Sequence, residues 1–232
     1  MASDAPLYPP RFFVVEKLTE GVHDTEFSKL NREVGPALRC PHCGGFVSAL
    51  TWQPPFQGEL ELHGKAFGDL IKCSGDDLLV SEHFAAAFTA EGLTGLNGFH
   101  PVEILRVRRR HRKTQQGAPP RYLAVTAAYG KPALDLGRSR LHTSAPVTCG
   151  WCRETGVDAI DGLALEEGTW SGEDVFRPRG LSGIILVSER FMRFAQRHAC
   201  SHFSFIPIDK YVWDPLGHFY PWEQRFNPPG KS

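Results

Sequence analysis

The sequence carries two cysteine pairs, Cys40-Pro41-His42-Cys43 and Cys149-Gly150-Trp151-Cys152, 109 positions apart. Each pair places two thiols three positions apart, so one tight turn can direct both sulfur atoms at the same ion. Two pairs supply four sulfur atoms, which is a complete tetrahedral set of ligands for zinc. Because neither pair fills that set alone, the spacing predicts that the pairs meet on one structural zinc ion, as in a zinc ribbon. The predicted ligands are Cys40, Cys43, Cys149 and Cys152.

Three other arrangements are open for these cysteines. The tetrapeptide Cys-Pro-His-Cys is also the active site of strongly oxidising thioredoxin-like proteins, where the first thiolate lies at a helix N-terminus that lowers its pKa. Here Gly44-Gly45 follows the pair, and glycine disfavours the first turn of such a helix. The pairs could instead form disulfides, which a reducing cytosol would not sustain. They could also hold two separate ions, with His23 or His63 completing the first site and His142 the second.

The composition is that of an ordinary soluble globular protein, with 41% hydrophobic residues, 22% charged residues and a formal net charge of zero. Nothing in this balance points to nucleic acid or to an anionic membrane as a partner. Residues 1–10 show no basic region followed by an apolar run, and no stretch approaches the roughly 20 apolar residues that span a bilayer. We therefore expect a cytoplasmic protein without a membrane partner, whose thiols are reduced unless a metal holds them.

Hydrophobic periodicity and turn residues predict several helices and strands. Ser81 and Ser188 are each followed by apolar residues at helical spacing, so each predicts the N-terminal cap of a helix. Phe27 and Leu30, three positions apart and followed by Gly35-Pro36, predict a short helix over residues 25–34. Strands are predicted over residues 11–15, 46–52, 99–107, 121–129 and 203–208, with the third and fourth forming a hairpin.

The same order of motifs occurs twice. Leu79-Val80-Ser81-Glu82 repeats 107 positions later as Leu186-Val187-Ser188-Glu189, close to the offset of 109 between the cysteine pairs. Two markers in the same order and at nearly the same separation predict a tandem duplication of a small domain. The predicted fold class is α+β, with two tandem, pseudo-symmetric repeats joined by a zinc-ribbon-like site of four cysteines. The expected parts of this one compact unit are an N-terminal strand and helix (1–39), a first repeat with cysteine pair, helix and hairpin (40–140) and a second repeat (141–232).

Two charged segments are candidates for contact with a partner. The predicted hairpin tip carries a basic run without interleaved aromatic residues, which argues against stacking of single-stranded bases. An acidic loop surrounds a tryptophan in the second half of the chain. The alternative is that both segments are solvated surface without a binding role, as charged loops usually are. The candidate contact residues are Arg108, Arg109, Arg110, Arg112, Glu166, Glu167 and Trp170.

The remaining reactive side chains form no catalytic pattern. Cys73 and Cys200 lie outside the pairs, and isolated cysteines are commonly buried, neutral thiols. The ten histidines are scattered, and no glycine-rich phosphate loop of recognised spacing occurs. The sequence thus predicts a metal-stabilised scaffold that is not an enzyme.

The two Cys-x-x-Cys motifs, roughly a hundred residues apart, and the Leu-Val-Ser-Glu-x-Phe helix entry give the chain a family likeness. It resembles the myxobacterial double-CXXCG motif paralogous family over residues 12–222. The resemblance implies a non-enzymatic immunity protein that binds, in the cytosol of a recipient cell, a lipoprotein toxin delivered by outer-membrane exchange. The first motif is complete with Gly44, whereas the second has Arg153 in place of the glycine. This departure puts the geometry of the second turn in doubt.

Three functions follow as hypotheses. The first is an immunity protein that neutralises a cognate toxin by stoichiometric occlusion and contains a structural zinc. The second is a zinc-ribbon nucleic-acid-binding protein, against which the zero net charge argues. The third is a thiol oxidoreductase, for which a metal-free and easily cycled dithiol is expected. The sequence identifies neither the toxin nor the oligomeric state.

Overall fold

A computed structural model describes residues 11–18, 20–31, 33–110 and 118–220. These residues form a mixed, sheet-rich fold with two helices, α1 (Glu82–Ala90) and α2 (Glu189–Arg197), and a short 3-10 turn at Ile208–Lys210. The strands of this described part are β1 (Phe12–Lys17), β2 (Thr25–Lys29), β3 (Val34–Gly35), β4 (Thr51–Trp52), β5 (Gln57–Leu62), β6 (Leu70–Lys72), β7 (Asp77–Ser81), β8 (Leu96–Arg109), β9 (Tyr122–Ala133), β10 (Leu141–Thr143), β11 (Val157–Asp161), β12 (Val175–Arg179), β13 (Leu186–Ser188), β14 (Phe203–Pro207) and β15 (Val212–Trp213).

Ten of these strands form one sheet that joins both halves of the chain. Its order is β14-β1-β13-β12-β9-β8-β5-β2, and β7 also pairs with β9 and carries β6. The predicted hairpin is confirmed, since β8 and β9 pair antiparallel, although its connection at residues 111–117 lies outside the described residues. The halves meet where β9 runs parallel to β12. Two smaller sheets, β10-β11-β15 and β3-β4, lie apart from the large one.

Both helices begin at the predicted serine caps. The hydroxyl of Ser81 accepts a hydrogen bond from the backbone N–H of Phe84 at 3.1 Å, and the hydroxyl of Ser188 accepts one from Phe191 at 3.2 Å. Each cap satisfies one of the backbone donors that a helix leaves unpaired in its first turn. The two helices therefore start in the same way, 107 positions apart.

Aromatic side chains of the two helices form the centre of the main hydrophobic core. The ring centroid of Phe84 lies 6.0 Å from that of Phe191 and 5.5 Å from that of Phe194. All three side chains are essentially fully buried, and burying each one stabilises the fold by about 1.5–3 kcal/mol. The predicted apolar faces of both helices are thus confirmed, and they pack against each other rather than on separate cores.

Two aspartates tie each helix start to the segment that follows the other helix. Asp69 accepts hydrogen bonds from the Ser81 hydroxyl at 2.7 Å and from the Ser201 backbone N–H at 3.0 Å. Asp174 accepts them from the Ser188 hydroxyl at 2.8 Å and from the Thr94 backbone N–H at 3.0 Å. These crossed contacts occupy corresponding positions in the two halves, which is what a tandem duplication predicts.

The predicted helix over residues 25–34 is wrong. Thr25–Lys29 form strand β2, which pairs antiparallel with β5 at one edge of the large sheet. Burial alternates along this strand, with Thr25 buried and Glu26 exposed, as expected for a period of two residues. The three-residue spacing of Phe27 and Leu30 fits a helix locally, but pairing with β5 satisfies the backbone groups instead. The expected N-terminal unit therefore contains strands and no helix within its described residues.

The predicted strand over residues 46–52 is regular only at β4. The side chain of Ser48 accepts a hydrogen bond from the Leu38 backbone N–H at 2.7 Å, and Asp76 accepts one from the Ala49 N–H at 2.7 Å. Side-chain acceptors thus replace the ladder over part of this segment. Within the described residues, no helix is both long enough and apolar enough to cross a membrane.

A buried histidine fastens the edge strand β2. His202 has a side chain that is 1% exposed, and its Nε2 accepts a hydrogen bond from the Thr25 backbone N–H at 3.3 Å. Its Nδ1 lies 3.1 Å from the Leu70 carbonyl oxygen, so the neutral ring carries its proton on Nδ1 and donates it there. Burial lowers the pKa of His202, because a charged ring would lose its hydration.

We expect acid to weaken the fold through His202. Because its pKa is lower in the folded chain than in the unfolded chain, the stability contributed by the neutral ring is complete above about pH 6.5 and is lost as the pH falls toward the lowered value. One proton limits the loss to about 1.4 kcal/mol per pH unit. Urea unfolding across this range should show a smaller dependence in His202→Asn, which tolerates the positive φ of this position. Parallel curves for the two proteins would contradict this assignment.

Candidate metal centre

The first cysteine pair lies at the tip of an irregular hairpin. Strands β3 and β4 form its base, and an isolated bridge between Arg39 and Phe46 precedes the tip. Within the tip, the Cys40 backbone N–H donates to the Gly45 carbonyl at 2.8 Å, and the Gly44 N–H donates to the Cys40 carbonyl at 2.9 Å. These bonds close the first turn, residues 40–45, so that both thiols point to the same side.

The second cysteine pair forms a matching turn, residues 149–154. The Arg153 backbone N–H donates to the Cys149 carbonyl at 2.9 Å, the counterpart of the bond from Gly44 to Cys40. The guanidinium group of Arg179, at the end of β12, donates to the Trp151 carbonyl at 3.0 Å and lies 5.1 Å from the centroid of the Trp151 ring. The large sheet thus holds the second turn in place.

The two turns bring all four predicted sulfur ligands together. The Sγ atoms of Cys40 and Cys149 are 3.9 Å apart, and those of Cys43 and Cys152 are 3.8 Å apart. All four sulfur atoms lie within 4.8 Å of one another. Sulfur atoms around a tetrahedral zinc ion with Zn–S bonds of about 2.3 Å are about 3.8 Å apart, whereas disulfide sulfurs are about 2.05 Å apart. The four free cysteines therefore form a cluster that could hold a metal ion.

Backbone N–H groups favour thiolates at the first cysteine of each pair. The N–H groups of Cys152 and Trp151 donate to the Cys149 sulfur and lower the pKa of its thiol to about 6. At Cys40, burial opposes ionisation, but the corresponding N–H groups outweigh it and lower the pKa. Burial raises the pKa of Cys152 to about 12. Metal binding requires thiolates, so the turns prepare one ligand in each pair.

Apolar and aromatic side chains cover the sulfur cluster. Val47 is buried against Cys40 and Cys152, and the rings of Tyr129 and Trp151 pack around them. The Trp151 ring stacks on His42, with ring centroids 5.4 Å apart, so the two turns also contact each other through side chains. Burial raises the pKa of the Tyr129 hydroxyl, which donates to Glu154 at 3.3 Å. The sequence did not point to Tyr129 or Arg179, because β9 and β12 supply them from a distance.

Arg153 adopts the backbone conformation that glycine has at the equivalent position of the first turn. Gly44 has a φ of 73°, and Arg153 adopts nearly the same left-handed conformation with a φ of 59°. A left-handed residue other than glycine costs about 1–2 kcal/mol. The Arg153 guanidinium group offsets this cost, since it donates to the Leu134 carbonyl at 2.9 Å and pairs with Glu166. The second turn is therefore intact without its glycine.

The geometry also bears on the alternative arrangements of the cysteines. Because the four sulfur atoms meet, two separate sites completed by histidines are not formed. His63 lies beside Glu26 and Glu61 instead, and His142 lies beside Asp158. No helix follows the first turn within residues 44–52, so the helix N-terminus of a thioredoxin-like dithiol is absent there.

The two unpaired cysteines lie outside the cluster. Cys73 is buried in another part of the core, and burial raises the pKa of its thiol to about 12. Burial does the same at Cys200, again to about 12. Both are therefore neutral thiols at physiological pH, as expected from their isolated positions.

The basic run at the hairpin tip is largely paired. Arg108 donates to Glu59 at 2.8 Å, and Arg110 donates to Glu61 at 2.7 Å, so β5 neutralises the end of β8. Arg109 lies 5.7 Å from the ring centroid of Phe67. Arg112, the fourth basic candidate, lies outside the described residues.

The acidic candidates take part in internal contacts. Glu166 pairs with Arg153 beneath the second turn, and Glu167 pairs with Arg138 at 3.1 Å. The Trp170 indole N–H donates to the Glu173 carbonyl at 2.9 Å, and its ring lies 5.2 Å from that of Phe12. Trp170 and Glu166 thus make contacts that stabilise the fold.

Comparisons with known proteins gave no family for the chain. Its sequence matches no protein-family model. No curated protein matched it either. The resemblance to the double-CXXCG family therefore rests on the paired motifs and on the order of the other segments, the Leu-Val-Ser-Glu-x-Phe helix entry among them.

Substitutions in the two turns should separate backbone strain from side-chain bonding. We expect Gly44→Ala to destabilise the chain by about 1–2 kcal/mol through its φ alone, since no atom lies within 4 Å of the added methyl group. Arg153→Ala should cost about 1–2 kcal/mol more than Arg153→Gly, because both lose the guanidinium bonds but only alanine retains the strain. Denaturant unfolding measures these differences.

Gly150→Ala is the matched control in the same turn. Gly150 lacks the left-handed φ, and no atom lies within 4 Å of the methyl group that alanine would add, so its replacement should be nearly neutral. Equal losses in Gly150→Ala and Gly44→Ala would refute the assignment of strain.

Proposed function

We propose that the chain holds one structural zinc ion and acts as a non-catalytic binding protein. The observation that supports the ion is the convergence of four sulfur atoms within 4.8 Å from two turns 109 positions apart. Four thiolates favour zinc, which adopts tetrahedral coordination without a geometric penalty. The candidate ligands are Cys40, Cys43, Cys149 and Cys152.

A closed set of four protein ligands supports a structural role. Catalytic zinc sites keep one coordination position for water or substrate, whereas structural sites fill all four with side chains. Three of these cysteines are at least partly buried, and Cys43 is the exposed one. The cluster lies against Val47, Tyr129 and Trp151, so the ion would take the place of a larger apolar core between the turns.

Such an ion would fasten the two halves of the chain to each other. Zinc binding to small modules contributes about 10–16 kcal/mol, which equals or exceeds the net stability of about 5–15 kcal/mol of a typical domain. We propose that the halves descend from tandem copies whose cysteine pairs now share this ion. The crossed bonds of Asp69 and Asp174 support this origin, because they repeat in both halves.

Elemental analysis of the purified chain should find one zinc ion per molecule. Cys40→Ser and Cys149→Ser each remove one ligand, so we expect loss of zinc and of most soluble protein. Cys200→Ser is the matched control and should retain both, since Cys200 lies outside the cluster. Metal content is measured on whatever fraction stays soluble. Full solubility, an unchanged melting temperature and undiminished zinc in both ligand variants would disprove the shared site.

For the biological role, we propose an immunity protein that neutralises a cognate toxin by occluding it. This proposal is drawn from the resemblance to the double-CXXCG family. A stable occluding interface needs about 1,600 Å² of buried surface and gains specificity from complementary charge. The basic end of β8 is the better of the two candidate surfaces, since the side chains of Arg108 and Arg110 remain 53% and 65% exposed despite their ion pairs.

Nucleic-acid binding is less well supported. The formal net charge of the chain is zero, and the basic run lacks interleaved aromatic residues on which single-stranded bases could stack.

Coexpression with the product of the neighbouring open reading frame tests the immunity role. We expect a stoichiometric complex in pull-down and restored growth of cells that make the toxin. The double variant Arg108→Glu/Arg110→Glu should slow association several-fold through reversed charge, with the largest effect at low salt. Arg193→Glu, on the exposed side of α2, is the matched control and should bind normally. If the unaltered chain forms no complex and restores no growth, the immunity role is refuted, and the zinc site is unaffected by that result.

A further inference from the structure

A second group of ligand-type side chains lies on the small sheet β10-β11-β15, apart from the cysteines. His142 is on β10, Asp158 is on β11, and His218 follows β15. One ligand atom from each lies within 4.8 Å of the others. The Nδ1 atom of His142 is 3.6 Å from a carboxylate oxygen of Asp158. The two imidazole rings stack with centroids 3.8 Å apart.

A break in the strand register positions the carboxylate. His142 pairs with Ala159, but the next residue, Thr143, pairs with Val157, so Asp158 is the extra residue of a β-bulge. A bulge turns one side chain away from the regular alternation of the strand, and bulges are frequent beside functional sites. Here the bulge places Asp158 next to His142.

A separate device positions His218. The carboxylate of Asp214 accepts hydrogen bonds from the backbone N–H groups of His218, Phe219 and Tyr220, at 2.8, 3.0 and 2.8 Å. These bonds fold the segment after β15 into a compact loop, in which Gly217 has a φ of 78°. The loop carries the His218 ring to the His142 ring.

The same loop is fixed to the strand that bears the carboxylate. The Tyr220 hydroxyl donates to Asp161 at 2.7 Å, and Arg140 donates to the other oxygen of Asp161 at 2.8 Å. Strand β15 also pairs with β11 through Trp213 and Ile160. Hydrogen bonds therefore hold together the three elements that carry the ligand-type side chains.

We propose that His142, Asp158 and His218 bind a divalent transition-metal ion of the zinc, nickel or cobalt type. Two imidazoles with one carboxylate suit these ions, whereas magnesium and calcium prefer oxygen ligands alone. All three side chains are at least partly exposed, so an ion can reach them and water can complete its coordination. The planes of the two stacked rings are 10° apart, so the rings must turn about the Cβ–Cγ bond, which is a broad torsion, for a nitrogen of each to reach a shared ion.

The other mixed cluster of the described residues is less suited to a metal. Glu26 and Glu61 lie beside His63, but Lys17 and Arg110 already pair with these carboxylates at 3.3 and 2.7 Å. The charge that would attract a cation is neutralised there. Among the residues that the structure describes, Asp158 forms an ion pair with His142 alone.

Titration with Ni²⁺ of the untagged chain that carries one zinc ion per molecule tests the site, because the four cysteines are then filled and the histidines are still open. Calorimetry should detect one nickel ion per chain. His142→Ala and His218→Ala should each weaken nickel binding at least about tenfold. Loss of a residue that only hydrogen-bonds to a metal ligand already weakens metal binding by about 10–100-fold. His83→Ala, which removes an exposed histidine from the start of α1, should leave the affinity unchanged.

Nuclear magnetic resonance gives a second readout on the folded variants and the unaltered chain. Paramagnetic Ni²⁺ should broaden the imidazole resonances of His142 and His218 before those of the other histidines. The proposal is overturned if nickel does not bind to the chain that carries one zinc ion. It is equally overturned if binding survives both alanine substitutions, or if broadening begins at another histidine. These outcomes are independent of the cysteine ligands and of the immunity role.

Discussion

The convergence of the two cysteine turns is the contact that joins the hairpin of the first cysteine pair to the second half of the chain. The hairpin that carries Cys40 has only two residues in each of its strands, and side-chain acceptors replace part of its ladder. Its apolar contact with the second turn is small, with Val47 as the central aliphatic side chain. A hairpin of this kind is marginal alone, so a cross-link by four thiolates would supply the stability that its own core does not.

The features that the sequence predicted are those determined by short-range chemistry. A serine before a helical stripe of phenylalanines is a cap wherever the helix packs, and both Ser81 and Ser188 are caps. Two thiols three positions apart predict a tight turn, and four thiols complete one tetrahedral set of ligands, which indicated that the two turns meet. The hairpin of β8 and β9 was equally visible, because alternation along both strands is local.

The features that the sequence did not predict depend on distant partners. Residues 25–34 contain a helical spacing, yet β5 pairs with Thr25–Lys29 and determines that they form a strand. The conformation of Arg153 depends on a carbonyl at Leu134, and the position of Asp158 depends on a bulge opposite β10. Nothing in the residues beside these positions reveals the contact, so local patterns give the wrong answer or none.

Two left-handed positions that are glycine in the first half hold other residues in the second half, and those residues bond to the earlier part of the chain. Gly44 and Gly95 in the first half correspond to Arg153 and His202 in the second, and all four have a positive φ. Arg153 donates to Leu134 and His202 accepts from Thr25, so both side chains offset their strain with bonds to the earlier part of the chain. At these two positions the first half has glycine, whereas the second half has a side chain with a hydrogen bond to the earlier part of the chain. A second half expressed alone would keep the strain and lose these bonds.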